Sequence, residues 1–482
     1  MSFPRGCGFN NNTKRLKALL VAGALFCGPM FAQADARQEP MRITPNEAVE
    51  LAVRNNLGLE SARVSASVAR RAADLAWNPF IPAIDVGGSL VRPNIAPSLG
   101  PMADLMNMLS AIMPPGTPMQ PMADPPRWML MGSLSATLNF NVAMFEEMRR
   151  LRLDYERGLI SYANARTQLE RDIRKAYHNI LLLQENIALL HVSLENLDRQ
   201  VQIAQANFNA GLAPELTLLQ AQVARENFRP IIDQAEGGLI LSMMQFAMFL
   251  GLPHDTVFEL EPVATDLSPI ILNTSELISR AAAGQPDVQV LRQDILIMDS
   301  IRQSSRHRLF TPTLSLAWNA DPTFGGDPWR NNWFDSDRWS WSQSGLFRFT
   351  VGFRLNGLLP FGAERQGIRA LEDQIRIANI GLAQMIRGTE IEIHNLVLTL
   401  ERIKLSMGAL EQTVILAERS FQLTEQAYQA GFVDLFQVHN AEQSLRQARV
   451  QLHEQQFNYL NSLIDLEFAL GVPFGTLTST GN

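Results

Sequence analysis

The chain has 482 residues, 46% hydrophobic and 18% charged, with 41 Lys+Arg against 48 Asp+Glu and two cysteines. An acidic chain with scattered arginines offers no basic patch for phosphates, which argues against nucleic acid as a partner. Cys7 and Cys27 both precede Asp35, so the remainder carries no thiol, disulfide or cysteine metal site.

In chain order, Lys14, Arg15 and Lys17 precede an apolar run from Ala18 to about Phe31, and Ala32-Gln33-Ala34 follows. This is the pattern of a secretory signal peptide over residues 1–34. The run is shorter than the ~20 apolar residues a spanning helix needs, and the mature chain is expected to begin near Asp35. Removing residues 1–34 takes away four basic and no acidic residues, moving the formal net charge from −7 to −11. Ala24-Leu25-Phe26 lacks the small residue that a lipobox places beside its cysteine, here Cys27. Beyond the signal no run of ~18 apolar residues occurs, which excludes a helical inner-membrane protein. Membrane insertion would have to use strands.

The mature chain repeats itself. Phe208-Asn209-Ala210-Gly211 matches Tyr428-Gln429-Ala430-Gly431 at an offset of 220, as Phe249-Leu250-Gly251-Leu252-Pro253 matches Ala469-Leu470-Gly471-Val472-Pro473. Upstream, Phe80-Ile81-Pro82 resembles Phe310-Thr311-Pro312 at 230. Two copies of one unit are expected, residues 44–253 and 273–473, joined by 254–272 with Pro262 and Pro269, and followed by a tail, 474–482.

In each copy a helical stretch (46–77; 275–307) gives way after a proline to period-two alternation, the mark of a half-buried strand. One strand begins at Trp128 and sets Leu130, Leu134, Ala136, Leu138 and Phe140 against Ser133, Ser135, Thr137 and Asn139. Another runs through Phe347, Phe349, Val351, Phe353 and Leu355, facing away from Arg348, Thr350, Arg354 and Asn356. Ile84, Val86 and Leu90 mark a third strand, and Leu314, Leu316 and Trp318 a fourth. The period then returns to helix, about 145–209 and 364–430, each on the order of 100 Å long at ~1.5 Å per residue. After a glycine turn, helices 214–250 and 434–470 run back, giving antiparallel coiled-coil hairpins.

Four strands cannot close a barrel, for which about eight is the lower limit, and an open edge in lipid leaves backbone groups unpaired at several kcal/mol each. Copies must share one barrel. Two would give a filled eight-stranded barrel; three give twelve strands and room for an aqueous lumen. Leu130, Leu134, Leu138, Phe140, Leu316, Trp318, Phe347, Phe349, Val351 and Phe353 are the expected lipid-facing set. Trp329, Trp333, Trp339 and Trp341 are expected to form an interfacial belt.

Nearly the whole mature chain resembles the TolC family of outer-membrane efflux proteins. The signature is an aromatic, x-Ala-Gly, a short turn, then heptads ending in Ala-Leu-Gly-x-Pro, and it stands twice, at Phe208–Ala221 and Tyr428–Ala441. The resemblance implies a mainly α protein with a membrane β-barrel: a homotrimer with four strands per protomer in a shared twelve-stranded barrel above a long α-helical coiled-coil barrel. It further implies an outer-membrane exit duct for efflux or type I secretion, with a periplasmic adaptor and an inner-membrane pump as partners. The candidate docking tips are then Gly211, Leu212, Pro214 and Thr217 in one hairpin, and Gly431, Phe432, Asp434, Phe436 and Gln437 in the other.

The tip glycines suit positive φ, and Asp434 with Gln437 suits a helix N-cap and its capping-box partner. Two departures from the family pattern stand out. Thr217 and Gln437 replace an acidic residue, and Pro230 with Gly237-Gly238 interrupts the first return helix, where a kink is expected. Met102, Met106, Met108, Met113, Met119 and Met122 crowd loop 97–126, but without His or Cys they read as flexible filler rather than a Cu(I) site. No HExxH, P-loop, GxGxxG or GxSxG occurs, so neither catalysis nor a cofactor is expected. A reading of another class, a soluble periplasmic coiled-coil scaffold without a pore, is separated from the duct by fractionation.

Overall fold

The computed structural model describes residues 41–92, 128–263, 284–325, 344–355 and 359–479, with positions 94, 104, 105, 108, 109, 112, 277 and 278 between them. The signal segment, the four loop tryptophans, the loop methionines other than Met108, and residues 264–272 lie outside the described residues.

After strand β1 (Met41–Ile43), helix α1 (Pro45–Asn55) starts at a full capping box. Glu47 N donates to Thr44 Oγ1 at 3.2 Å, and Thr44 N donates back to Glu47 Oε2 at 2.8 Å, with Pro45 in the first helical turn. These bonds favour the ionised carboxylate and hold the Glu47 pKa below its ordinary value. The expected single helix 46–77 is in fact two. Asn56, with φ −68° and ψ 120°, ends α1 and caps α2 (Leu57–Asp74) by accepting from Leu59 N at 3.1 Å. The second copy repeats the break: Gln285, at φ −62° and ψ 124°, separates helical Gly284 from α5 (Pro286–Phe310). Ordinary-looking helical sequence hides such a break, because only one residue leaves the helical region; the Asn56 side chain caps its new helix, whereas Gln285 makes no side-chain cap.

The remaining helices keep the offset of the repeat closely. Helix α3 spans Ala143–Asn209 and α6 spans Ala363–Gln429, both 67 residues; the return helices are α4 (Glu215–Phe249) and α7 (Leu435–Leu470). Pro230 and Gly237-Gly238 do not interrupt α4. All three are exposed, so the missing N–H and the bare backbone face solvent, where water replaces the lost bond. Toward the turns the helices lie side by side in the order α4, α3, α7, α6; toward the strands α2 and α5 replace α4 and α7. The handover is tight. Gly251 (φ 71°) and Gly471 (φ 66°) end the return helices, and a Cβ there would sit 2.5 Å from the Asn55 carbonyl oxygen and 2.8 Å from that of Gly284.

Four apolar clusters hold this layer together, the smallest being Leu197, Phe228 and Ile232 between α3 and α4. Tyr177, Ile173, Phe246 and Phe457 centre one, under β1 and strand β4 (Phe258–Leu260); Ile393, Val397, Leu463 and Leu466 centre another between α6 and α7. A third lies at the turns. Strands β1 and β4 pair in parallel, a feature too short to show in the sequence pattern, and β4 lies in the segment expected only to join the two copies. The Tyr177 hydroxyl lies 2.8 Å from the Ile43 carbonyl and 2.7 Å from that of Glu261, and burial pushes its pKa up to about 12. At the other end of the chain, the carboxylate of Glu467, 2% exposed, accepts from Gly475 N at 2.9 Å and Leu477 N at 2.8 Å. Desolvation raises its pKa against those bonds. Helix α8 (Thr476–Ser479) is thereby tied down.

The main sheet holds β2 (Ala83–Val91), β3 (Met129–Phe140), β5 (Thr313–Ala320) and β7 (Leu346–Gly352), antiparallel in that order. Strand β6 (Thr323–Gly325) continues β5 past Pro322 and pairs with the start of β3, where Gly132 N donates to the Pro322 carbonyl at 2.8 Å. Among the described residues, β2 and β7 are open edges.

The packing makes two expectations measurable. Gly251→Ala meets both a forbidden contact and positive φ, so it lowers stability by about 2–4 kcal/mol. Gly211→Ala, with φ 72° but open space around it, costs about 1 kcal/mol; the two are compared by the melting of helical circular dichroism. The second concerns His178, whose Nδ1 lies 3.0 Å from Asn461 Oδ1 and whose pKa burial lowers from 6.5. The unfolded chain then binds the proton more readily, so this contribution is complete above 6.5 and declines as pH falls below it. His178→Gln flattens that acid-side loss, read as chemical-denaturation midpoints across pH.

Candidate functional site: sheet face and hairpin tips

Cross-strand register decides which side chains share a face. Val86 is opposite Leu134, Ile84 opposite Ala136, Leu138 opposite Leu316, and Leu316 opposite Phe349; Trp318 joins Ala136 to Phe347. All lie on one side. Asp85 opposite Ser135, Thr137 opposite Ala317, and Ala317 opposite Arg348 lie on the other. A soluble sandwich would bury the first set. Instead Val86 is 81% and Phe347 63% exposed, with no second sheet over them among the described residues.

Of the ten residues expected to face lipid, nine occupy the apolar side of β3, β5 and β7, while Phe353 follows the end of β7 at Gly352. Phe140 closes the sheet rather than standing alone. Its ring lies 6.1 Å from both Phe80 and Phe145, which lie 5.8 Å from each other, so an aromatic cluster marks where strands become helices. Asn141 sets that corner. Its Oδ1 accepts from Ala143 N at 2.8 Å and its Nδ2 donates to the Pro312 carbonyl at 3.2 Å, linking the first copy to the second.

At the far end of the long helices, each hairpin turns through the same motif. Leu212 N donates to the Asn207 carbonyl at 2.8 Å and Phe432 N to that of Ala427 at 2.9 Å, around Gly211 (φ 72°) and Gly431 (φ 80°). Pro214 is the N-cap of α4 and Asp434 that of α7; Gln437 N donates to Asp434 Oδ1 at 3.0 Å. The Gln437 side chain does not return the bond, so only half of the expected capping box forms. Thr217 N is held by the Pro214 carbonyl at 3.1 Å.

Beneath the turns, Ala204, Leu218, Ala221, Tyr428, Leu435 and Val438 pack the two hairpins together. Apolar groups are left outside: Leu212 is 79% and Phe432 84% exposed, and Phe436 is exposed as well. Leu216, also exposed, completes this set and was missed in the sequence, although it is the counterpart of Phe436 in the first copy of the repeat. No helix among the described residues is long and apolar enough to cross a membrane.

These features can be set beside known proteins. The family model for outer membrane efflux proteins matches residues 129–238 and 332–472, over half of the chain. Outer membrane protein TolC of Vibrio cholerae is 24% identical over 354 residues, 70% of this chain and 76% of that protein. Among solved structures, the Campylobacter jejuni CmeC outer membrane channel aligns with a TM-score of 0.67 at 17% identity, covering 89% of this chain and 85% of that one. The Vibrio cholerae outer membrane protein VceC gives 0.68 at 16% identity, covering 89% and 96%. By its sequence and by this fold, the chain belongs to the outer membrane efflux protein family.

Proposed function

We propose that three copies of this chain form a passive exit duct through the outer membrane, fed from below by a periplasmic adaptor and an inner-membrane pump. The observation that carries the reading is the sheet that, among the described residues, has one bare apolar face and two unpaired edges. In hydrocarbon each unpaired backbone group costs several kcal/mol, so β2 of one copy must meet β7 of the next. Three copies give twelve strands and an open lumen. The helical layer supports the same reading, because its two lateral edges also carry exposed apolar rows: Ile391, Leu398 and Leu405 on α6, and Leu216, Val223 and Met244 on α4. The heptad spacing of the first three, and of Leu216 with Val223, suits packing against another helix.

The adaptor reading rests on the tips. Four exposed apolar side chains on two rigid turns offer a compact anchor set for a helical partner. Energy for transport would come from the pump, since the chain presents no nucleotide-binding or catalytic motif.

Two experiments test these proposals. Extraction of outer membranes should yield heat-dissociable trimers that form ion-conducting channels in planar bilayers. Recovery as a soluble periplasmic monomer without conductance would defeat the duct. The double substitution Phe432→Asp with Phe436→Asp should leave trimers and conductance intact while lowering adaptor crosslinking at the tips by tenfold or more, about 1.4 kcal/mol or greater. Unchanged crosslinking would move the docking surface elsewhere.

A further inference from the structure

Helix α3 sorts its ionisable side chains by side in its first three turns. Its flank toward α5 is fixed by Ser300 Oγ, which donates to the Glu146 carbonyl at 2.8 Å, and by Gln293 Nε2, which donates to that of Leu153 at 3.2 Å. The other flank is fixed by Gly158, where a Cβ would lie 3.5 Å from Ala66 Cα of α2. Two sides remain. One carries Phe145, whose ring belongs to the aromatic cluster on the apolar side of the sheet, and the opposite one carries Glu147, Arg150 and Asp154.

These two sides differ in charge. Arg150 is held by Glu147 at 2.5 Å and by Asp154 at 2.6 Å, so the side away from Phe145 closes on itself. On the side of Phe145, four and seven residues along, stand Arg149 and Arg152, within about 40° of its line at 3.6 residues per turn. Arg149 lies 3.7 Å from Glu146, and Arg152 is exposed with no ion-pair partner among the described residues. Glu156, next on this line, accepts from Gln293 Nε2 at 2.9 Å. Helix α2 adds Arg70 and Asp74, 3.7 Å apart, whose charges cancel. In the second copy, at the offset of 220, Phe145, Arg149 and Glu156 correspond to Arg365, Arg369 and Arg376 of α6, and Arg152 to Glu372, which lies 4.0 Å from Arg302. Arg369 is exposed, again with no ion-pair partner among the described residues.

Direction matters as much as sign. Helical side chains lean toward the N-terminus of their helix, and α3 and α6 both start at the sheet. The guanidinium groups of Arg149, Arg152 and Arg369 therefore reach back toward the strands, the first two from about 6 and 10 Å below Phe145 at ~1.5 Å per residue. Phe145 is 55% exposed, and Trp77, Ile81 and Phe310, at the same junction of strand and helix, are exposed as well.

Resting on the duct reading, we propose that this band binds the phosphate of anionic phospholipids in the periplasmic leaflet of the outer membrane, with Arg149, Arg152 and Arg369 as its ligands. Apolar strands above, aromatic rings at the boundary and guanidinium groups just below follow the order of acyl chain, glycerol and phosphate in a lipid. A guanidinium fork matches two phosphate oxygens at once, and its aliphatic stem lies along apolar surface. Charges that served solubility alone would mix signs on this side.

The test uses delipidated trimers of the full chain, titrated with dioleoylphosphatidylglycerol and followed by native mass spectrometry. Arg149→Gln and Arg152→Gln should each raise the half-saturating concentration about fivefold. Arg199→Gln with Arg419→Gln, which removes two charges far down the helices, should leave it unchanged. Dioleoylglycerol, which has the chains without the phosphate, should bind the variants and the unchanged protein alike. Unaltered half-saturation in the Arg149 and Arg152 variants, or an equal rise in the lower pair, would overturn the site, as would a loss confined to lipid A, whose phosphates lie in the other leaflet. Conducting trimers with such a result leave the duct standing, whereas a chain that forms no membrane trimer overturns the duct and the lipid site together.

Discussion

An unpaired backbone amide in hydrocarbon is the constraint from which the rest of this molecule follows. The sheet is too narrow to close on itself, and its register gathers most of the large apolar groups of β2, β3, β5 and β7 on one side, with Val91, Met129, Met131 and Leu346 on the other. Such an object has no stable solitary form in lipid. The helical layer carries the same incompleteness downward, since its lateral edges expose leucine and isoleucine where a free-standing layer would be polar. Strand edges and helix edges make the same demand for neighbours, although one is set by hydrogen bonds and the other by buried area.

Duplication explains how one chain builds a wall of nearly constant thickness. Each copy supplies two strands, one helix of 67 residues and a return helix, and the handover from return helix to upper helix uses the same device twice. A glycine with positive φ lets the end of each return helix press against a backbone carbonyl, that of Asn55 at the end of α1 in the first copy and that of Gly284 just before α5 in the second. The copies differ where the wall meets other structure. Tyr177, which braces β1 and β4, has Val397 as its counterpart, and Glu467, which holds the C-terminal turn, has Ala247.

Long-period features were legible in the sequence, and short ones were not. Very long helices and strands of strict alternation carry many matching positions, so α3, α6, β3 and β7 emerge within a few positions of their observed ends. The parallel pair β1–β4 is too short in each strand for any period to show. Asn56 and Gln285 look helical because only one residue at each break is extended. Pro230 lies inside a helix that runs on from Glu215 to Phe249, since a proline on the solvent side of a long helix forfeits one bond without ending it. At the tips, the glycines and the Asp434 cap were readable from turn chemistry. Leu216 was not, because an exposed leucine early in a helix resembles a core position until its neighbours are known.

The small strand pair also bears on how the chain comes to be finished. Met41 lies against Phe258, with the whole first copy between them in the sequence, so the start of the described chain gains its partner only after that copy has been made and exported. Closing so long a loop is entropically unfavourable and therefore slow compared with the local zipping of the hairpins. Until it happens, Tyr177 has neither carbonyl beside its hydroxyl and the cluster under it lacks Ile43 and Phe258. A chain that stops before residue 258 leaves this cluster without Phe258 and Leu260, and β1 without its only strand partner among the described residues.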